Sequence, residues 1–224
     1  MSDLSVVGER NRSEVLAALA RGGVIAVALD GGYHLAALPQ RRDAIVVALS
    51  RPSPSLPEDP FQIMVGLRTQ ATSLATTWNK ETRVLTDRMW PGPLTVIVPS
   101  HAFNPEGSTE GVVRITMPAS RSLRSLCRES GPLAIAALRH PDGLAFVAGE
   151  EVAAQFTTDD LALIVDGGTC RGPGPSVVDC TVSPPVVRHI GAYPESYVDG
   201  ALMMGNRRRG WRTKKGGSDV GPPP

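Results

Sequence analysis

The sequence predicts a single α/β domain built on a mixed parallel and antiparallel sheet flanked by helices. Short apolar runs alternate along the chain with amphipathic stretches of helical spacing. Near the middle and the end, two such runs follow each other directly, which suits antiparallel neighbours. With 224 residues and 42% hydrophobic content, the chain has enough apolar surface for one sizeable core.

Taken in order, Val15, Leu16 and Leu19, preceded by Ser13 and Glu14, predict a short amphipathic helix with an N-cap at Ser13 and a stop at Gly22-Gly23. Val24 to Ala28 is partly β-branched and apolar throughout, as expected of a strand covered on both faces. Asp30 to Pro39 reads as a loop whose Gly31 and Gly32, beside Tyr33 and His34, let the backbone approach a ligand closely. Asp43 to Leu49 is helical in pattern, and Arg51 to Pro60, with four prolines, is an extended connector. Phe61 to Leu67 is the next strand, and Gln70 to Met89 holds one or two helices. In Trp90-Pro91-Gly92-Pro93 two prolines fix φ on either side of a permissive glycine and set the entry into the strand Leu94 to Val98. Gly111 to Met117 is a strand, Ser120 to Glu129 a helix, and Pro132 to Leu138 a further central strand. Gly149 to Phe156 is a helix; Leu161 to Val165 and Pro175 to Thr181 are strands flanking the turn GGTCRGPG; Val186 to Ile190 is the last strand. There is no internal repeat. The expected layout is an N-terminal extension over 1–11, a domain over 12–200 and a disordered basic tail over 201–224.

Composition excludes whole classes. No apolar run reaches about eighteen residues, and the N-terminus lacks the basic-then-apolar layout of a secretory signal, so a soluble cytoplasmic protein is expected. Cys127, Cys170 and Cys180 are widely spaced with no Cys-x-x-Cys, which points to reduced thiols rather than a disulfide framework or a zinc site. The net charge of +1 conceals an uneven distribution, because residues 206–224 carry six Lys or Arg against one acid and leave the body at −4. Arg207, Arg208, Arg209, Arg212, Lys214 and Lys215, with Trp211 among them, could neutralise phosphates and stack on a base, so RNA is a candidate partner. The competing reading is a solubilising terminus.

No complete nucleophilic apparatus is present: the chain has no Gly-x-Ser-x-Gly, no phosphate loop ending in Gly-Lys-Ser, and His34, His101, His140 and His189 have no metal-ligand spacing. What remains is a set of arginines beside strand ends and glycine turns: Arg51, Arg114, Arg139, Arg171 and Arg188. Guanidinium groups on rigid elements bind carboxylate and phosphate bidentately, so a pocket for an anion such as a nucleotide is one reading, while for any single arginine a surface ion pair is the stronger one. Asp166 and Asp179, at the ends of apolar strands, could meet magnesium or simply cap turns. Tyr33 reads either as a ligand contact or as a core residue with a satisfied hydroxyl, and Trp90 as packing.

The succession GGVIAV, an Asp followed by Tyr-x-Leu, an Arg-Pro connector, WPGPLTVIVP, GVVRITMP, GPLAIAAL, DGGTCRGPGPSVVD and VVRHIGAY resembles the YrdC-like threonylcarbamoyl-AMP synthase family from residue 12 to about 193. The resemblance implies a twisted mixed sheet flanked by helices, with a basic concave face. It implies condensation of threonine, bicarbonate and ATP, the last as substrate with magnesium on its phosphates, to threonylcarbamoyl-AMP and pyrophosphate. The product would serve tRNA modification, so the implied enzyme is a nucleotidyltransferase with no metal site of its own in the chain. By the same resemblance Arg51 touches ATP phosphates, Arg114 meets the threonine carboxylate, and Ser176 and Arg188 contact the nucleotide. Asp30 and Tyr33 border the substrate.

The departures fall on the same positions. Where the family reads Pro-Thr-Asp-Thr-x-Tyr-Gly-Leu, this chain has Ala28-Leu29-Asp30-Gly31-Gly32-Tyr33-His34-Leu35, without either threonine hydroxyl. Leu49 replaces the lysine of a Lys-x-Arg pair, Asp59-Pro60 stands for Lys-Pro, Ala137-Leu138-Arg139 for Ser-Ala-Asn, and Pro175 for a turn serine. Losing one phosphate-directed cation or oriented donor costs about 3 kcal/mol of transition-state stabilisation. Two outcomes are consistent with this: a rearranged enzyme in which Arg139 supplies the missing charge and His34 and His140 new donors, or a catalytically impaired paralogue that binds nucleotide or double-stranded RNA.

Overall fold

The structure is a computed structural model that describes residues 4–8, 11–50, 61–100 and 111–210, the last five through their backbone alone. Arg51, the connector 51–60 and Trp211, Arg212, Lys214 and Lys215 lie outside the described residues, and so do the side chains of Arg207, Arg208 and Arg209.

Among the described residues the chain runs β1 (Val6–Gly8), α1 (Arg12–Ala20), β2 (Ile25–Leu29), β3 (Gly32–Ala37), a single 3-10 turn at Pro39–Arg41, and α2 (Arg42–Leu49). It continues with β4 (Phe61–Met64), α3 (Arg68–Leu74), α4 (Lys80–Met89), β5 (Leu94–Pro99), β6 (Val112–Thr116), α5 (Arg121–Ser130) and β7 (Leu133–Ala137). The last elements are α6 (Gly149–Gln155), β8 (Leu163–Asp166), β9 (Ser176–Asp179), β10 (Val186–His189) and α7 (Glu195–Gly210). All ten strands join one sheet in the order β1-β8-β2-β3-β7-β4-β6-β5-β9-β10. Pairings β1·β8, β8·β2, β4·β6 and β5·β9 are parallel and the rest antiparallel, which is the mixed α/β sheet expected from the sequence.

Three expectations are corrected. The segment Asp30 to Pro39 contains a strand: Leu29 pairs with Gly32, and the turn between them relies on Gly31 at φ 84°. Asp-Gly between two apolar stretches was a hairpin signal in its own right. Helix α1 begins one residue before Ser13, with Asn11 at the N-cap and no side-chain cap. The segment expected to be disordered from residue 201 is helical to Gly210, because Val198, Ala201 and Leu202 recur at helical spacing and Gly205 packs on Val84 of α4. Composition averaged over 201–224 hides that apolar stripe.

The two sides of the sheet are covered unequally. On one side α2, α4, α6 and α7 bury Ala26, Leu35, Ile63, Val96, Ala136, Ile164 and Val178. On the other, α1 and α5 place Val15, Leu19, Leu123 and Leu126 over Val7, Val27, Ala36, Met64, Ile135 and Val165. That second cluster takes residues of β1, β2, β3, β4, β7 and β8 but none of β5, β6 or β9. Among the described residues, helical cover on that side therefore stops at the middle of the sheet, although Thr95, Thr116 and Asp179 beyond it are buried.

Candidate functional site

Strand register decides which side chains share this side of the sheet. Ala36 pairs with Ile135, Ile135 with Gln62, Met64 with Thr116, Thr116 with Thr95, and Thr95 with Val177. Side chains alternate along a strand, so His34, Gln62, Thr95, Arg114, Thr116 and Asp179 all point to that side. These are polar residues inside strands that are otherwise apolar. Thr95 Oγ1 donates to Gln62 Oε1 at 2.9 Å, which leaves the Gln62 amide hydrogens directed elsewhere.

Three loops close around one end of this face. The β2–β3 turn brings Gly31 against the backbone of Gly174, where a Cβ on Gly31 would sit 2.6 Å from the Gly174 Cα. The turn after β10 abuts the same place, since Ala192 N donates to Gly174 O at 3.0 Å. Between the hairpin turn and the start of α5 lies a pocket of about 200 Å³ bounded by Asp30, Leu29, Pro118, Ser120, Cys170 and Arg171. Burial raises the Asp30 carboxyl above its usual range, and the Cys170 thiol is pushed up by the same cause. A larger depression, about 390 Å³, lies between α1 and α5, but it holds none of the expected site residues and its Arg12 is engaged by Ser125 and Glu129. The chemistry points to the smaller one.

The sequence-predicted residues divide. Asp30 lines the pocket. Arg114 is half-buried on β6 opposite Ile97, on the same side of the sheet as Gln62 and Thr116. Arg139 is exposed just after β7, close enough to His34 for its charge to be felt there, and its guanidinium has no hydrogen-bond or ion-pair partner among the described residues.

Tyr33 is different. It is fully buried on the opposite side of β3, and its hydroxyl is 3.3 Å from both Asp166 Oδ1 and Gly168 O. Burial, chiefly, lifts its pKa to about 12. It packs in the core and its hydroxyl faces the loop after β8. Ser176 is also fully buried: its hydroxyl donates to Tyr193 O at 2.7 Å and accepts from Gly191 N and Tyr193 N at 2.9 Å each. Every hydrogen-bonding capacity of the hydroxyl is used within the chain, where it holds the turn after β10.

Arg188 donates through Nε and Nη2 to Asp179 Oδ2, while Asp179 Oδ1 accepts from Thr181 N and Oγ1. Burial opposes the Asp179 charge, but the Thr181 and Arg188 hydrogen bonds outweigh it and hold the carboxyl below the usual range. Asp166 likewise accepts from Gly168 N, so both aspartates cap turns. Leu49, in place of the family's lysine, is buried in the core. His140 stacks on Phe146 at 3.8 Å and lies 3.6 Å from Glu151, away from the pocket. Trp90 is buried with its Nε1 donating to Leu94 O, the packing role expected of it.

Gln62, Thr95 and Thr116 were missed by sequence reasoning. The available signal was a polar residue at alternate positions of a central apolar strand.

A polar stretch of a ten-stranded mixed sheet beside this small pocket marks an α/β protein of a recognisable kind. A family model described as telomere recombination, for Sua5, YciO and YrdC, matches residues 17–190, and the chain belongs to that family. It is 29% identical over 180 residues to threonylcarbamoyl-AMP synthase of Pyrococcus abyssi, covering 77% of this chain and 52% of the relative. With threonylcarbamoyl-AMP synthase of Bacillus subtilis the identity is 28% over 198 residues, 85% of this chain and 56% of the relative. The chain thus spans about half the length of these curated relatives. Among solved structures, P. abyssi Sua5 complexed with L-threonine superposes with a TM-score of 0.77 at 26% identity, covering 89% of this chain and 61% of that one. E. coli YciO shares the fold, with a TM-score of 0.74 at 20% identity over 87% of this chain and 98% of its own. No helix of the described residues is long and apolar enough to cross a membrane.

Proposed function

We propose that the chain activates threonine. Threonine and bicarbonate condense to a carbamate with loss of water, and a carbamate oxygen then attacks the α-phosphorus of ATP, giving threonylcarbamoyl-AMP and pyrophosphate. The observation that carries this reading is a pocket of amino-acid size whose Leu29, Asp30 and Pro118 also border the polar Gln62 and Thr116 of the sheet. The names of the curated relatives and the L-threonine complex support it.

The reaction must hold two anions close together and neutralise charge as pyrophosphate leaves. In this reading Asp30, which lines the pocket and whose pKa burial raises, takes the proton the amine loses. Arg171 lines the pocket whereas Arg114 does not, so Arg171 receives the amino-acid carboxylate and Arg114, with Arg139, faces the phosphates. This departs from the role that the family resemblance gives Arg114. Arg51 keeps its expected phosphate role in this reading. Among the described residues no group of three His, Cys, Asp or Glu could hold a metal, and magnesium enters as part of the ATP substrate.

The test is pyrophosphate release under magnesium-ATP. Release that requires both threonine and bicarbonate supports the reading, and release that ignores either one refutes it. A second reading, a paralogue that binds nucleotide or RNA without turnover, is favoured by one set of observations: Ser176 and Arg188 are occupied internally and Leu49 lies in the core. Binding of ATP without any pyrophosphate release would select it.

A further inference from the structure

His34 is 7% exposed on β3, and its Nδ1 lies 3.1 Å from Gly32 O. A carbonyl oxygen only accepts, so Nδ1 carries the proton and Nε2 the lone pair. Among the described residues nothing hydrogen-bonds Nε2, yet no fully buried side-chain nitrogen or oxygen lacks a partner. Nε2 therefore opens onto free space. That space is a nook of about 10 Å³ against Gln62, Thr116 and Ile135, with room for a single water-sized group. It shares Leu29, Asp30 and Pro118 with the 200 Å³ pocket and so borders it directly.

The nook has complementary sides. Gln62 Oε1 is taken by Thr95, which leaves the amide hydrogens as donors, while His34 Nε2 is an acceptor. Burial is the main reason the His34 pKa falls to about 4, Arg139 adds to it, and the Gly32 carbonyl opposes it. With Asp30 and Arg139 the charged groups beside it, the imidazole stays neutral and keeps its lone pair near neutral pH.

One atom that both donates and accepts fits this arrangement. We propose that His34 is the specificity-determining residue of the amino-acid subsite, its Nε2 accepting from the side-chain hydroxyl of a β-hydroxy amino acid whose oxygen accepts from Gln62. This rests on the reading that the pocket takes an amino acid. A site built around a hydroxyl rejects an isostere lacking it, because the buried polar groups are then left unpaired.

The experiment is calorimetric titration of the full chain with threonine, serine, valine and 2-aminobutyrate. Threonine and serine should bind at least about tenfold more tightly than valine and 2-aminobutyrate. In His34→Leu, which keeps bulk but removes the acceptor, that ratio should collapse towards one, and His34→Gln, which retains an acceptor, should recover part of it. Equal binding of all four ligands to the unmodified chain overturns the assignment, and this arm holds even if a variant fails to fold. An unchanged ratio in folded His34→Leu overturns it too. Binding of none of the four defeats the amino-acid reading itself, whereas binding without discrimination defeats only the role of His34.

Discussion

Arg188 and Asp179 are joined by two hydrogen bonds to one carboxylate oxygen, 3.1 Å from Nε and 2.7 Å from Nη2. The arginine that the family motif directs at a nucleotide is thus held by the protein's own carboxylate, which ties β10 to β9 across the bulge in their ladder. The Asp179 pKa lies below its unfolded value, so the pair stabilises the fold above that unfolded value and loses its effect as pH falls through the folded one. Asp179→Asn should therefore lower the melting temperature at neutral pH and flatten its decline in acid. Parallel acid profiles for variant and parent would show that the pair contributes nothing to stability.

Ser176→Ala should be strongly destabilising for a substitution that removes one oxygen. It leaves Gly191 N and Tyr193 N without their acceptor at a part-buried site, at about 1–3 kcal/mol for each group left unsatisfied. For a domain of this size each kcal/mol shifts the melting temperature by about 2–4 °C. A variant that melts with the parent but loses ATP affinity would restore Ser176 to the nucleotide site.

His34 gives a pH signature. Its folded pKa of about 4 lies below the usual 6.5, so the unfolded chain binds a proton first as pH falls. The stabilising effect is complete above about pH 6.5 and is lost as pH drops towards 4, for a total of about 3 kcal/mol. Asp30, raised by burial, acts in the opposite sense. Comparing chemical denaturation of the parent and His34→Leu between about pH 7 and pH 4.5 isolates the histidine: the parent should lose more stability. Equal losses would mean that the imidazole is not neutral and buried.

Much of this architecture was legible in the chain. Val24 to Ala28 and Leu94 to Val98 became strands because apolar, β-branched runs have few other ways to be buried, and Ser120 caps α5 through its bond from Leu123 N. The site was harder. A motif records spacing and not which side of a strand a side chain takes, and one residue of alternation sends the buried Tyr33 and the buried His34 to opposite sides of the sheet. Gln62, Thr95 and Thr116 come together only through the pairing of β4, β6 and β5, which no local pattern reveals. The stripe that makes α7 a helix needed α4 as a partner.

Arg139→Ala should raise the ATP dissociation constant by about tenfold or more if its guanidinium faces phosphate, as charge-assisted bonds are worth roughly 1.5–3 kcal/mol. Arg21→Ala, an exposed control at the end of α1, should leave it unchanged. Equal effects would return Arg139 to solvent.

Removing residues 211–224 should weaken RNA affinity and flatten its salt dependence if the basic segment contacts tRNA or double-stranded RNA, because fewer counterions would be released. The cut spares α7, whose packing on α4 would otherwise confuse the result. Unchanged binding would leave the segment without that role.

Titrating threonine into the protein with and without a non-hydrolysable ATP analogue and magnesium asks whether one face holds both substrates. We expect saturable single-site binding of threonine that tightens when the nucleotide is present. No measurable heat for either ligand, or threonine binding indifferent to nucleotide, would contradict the account.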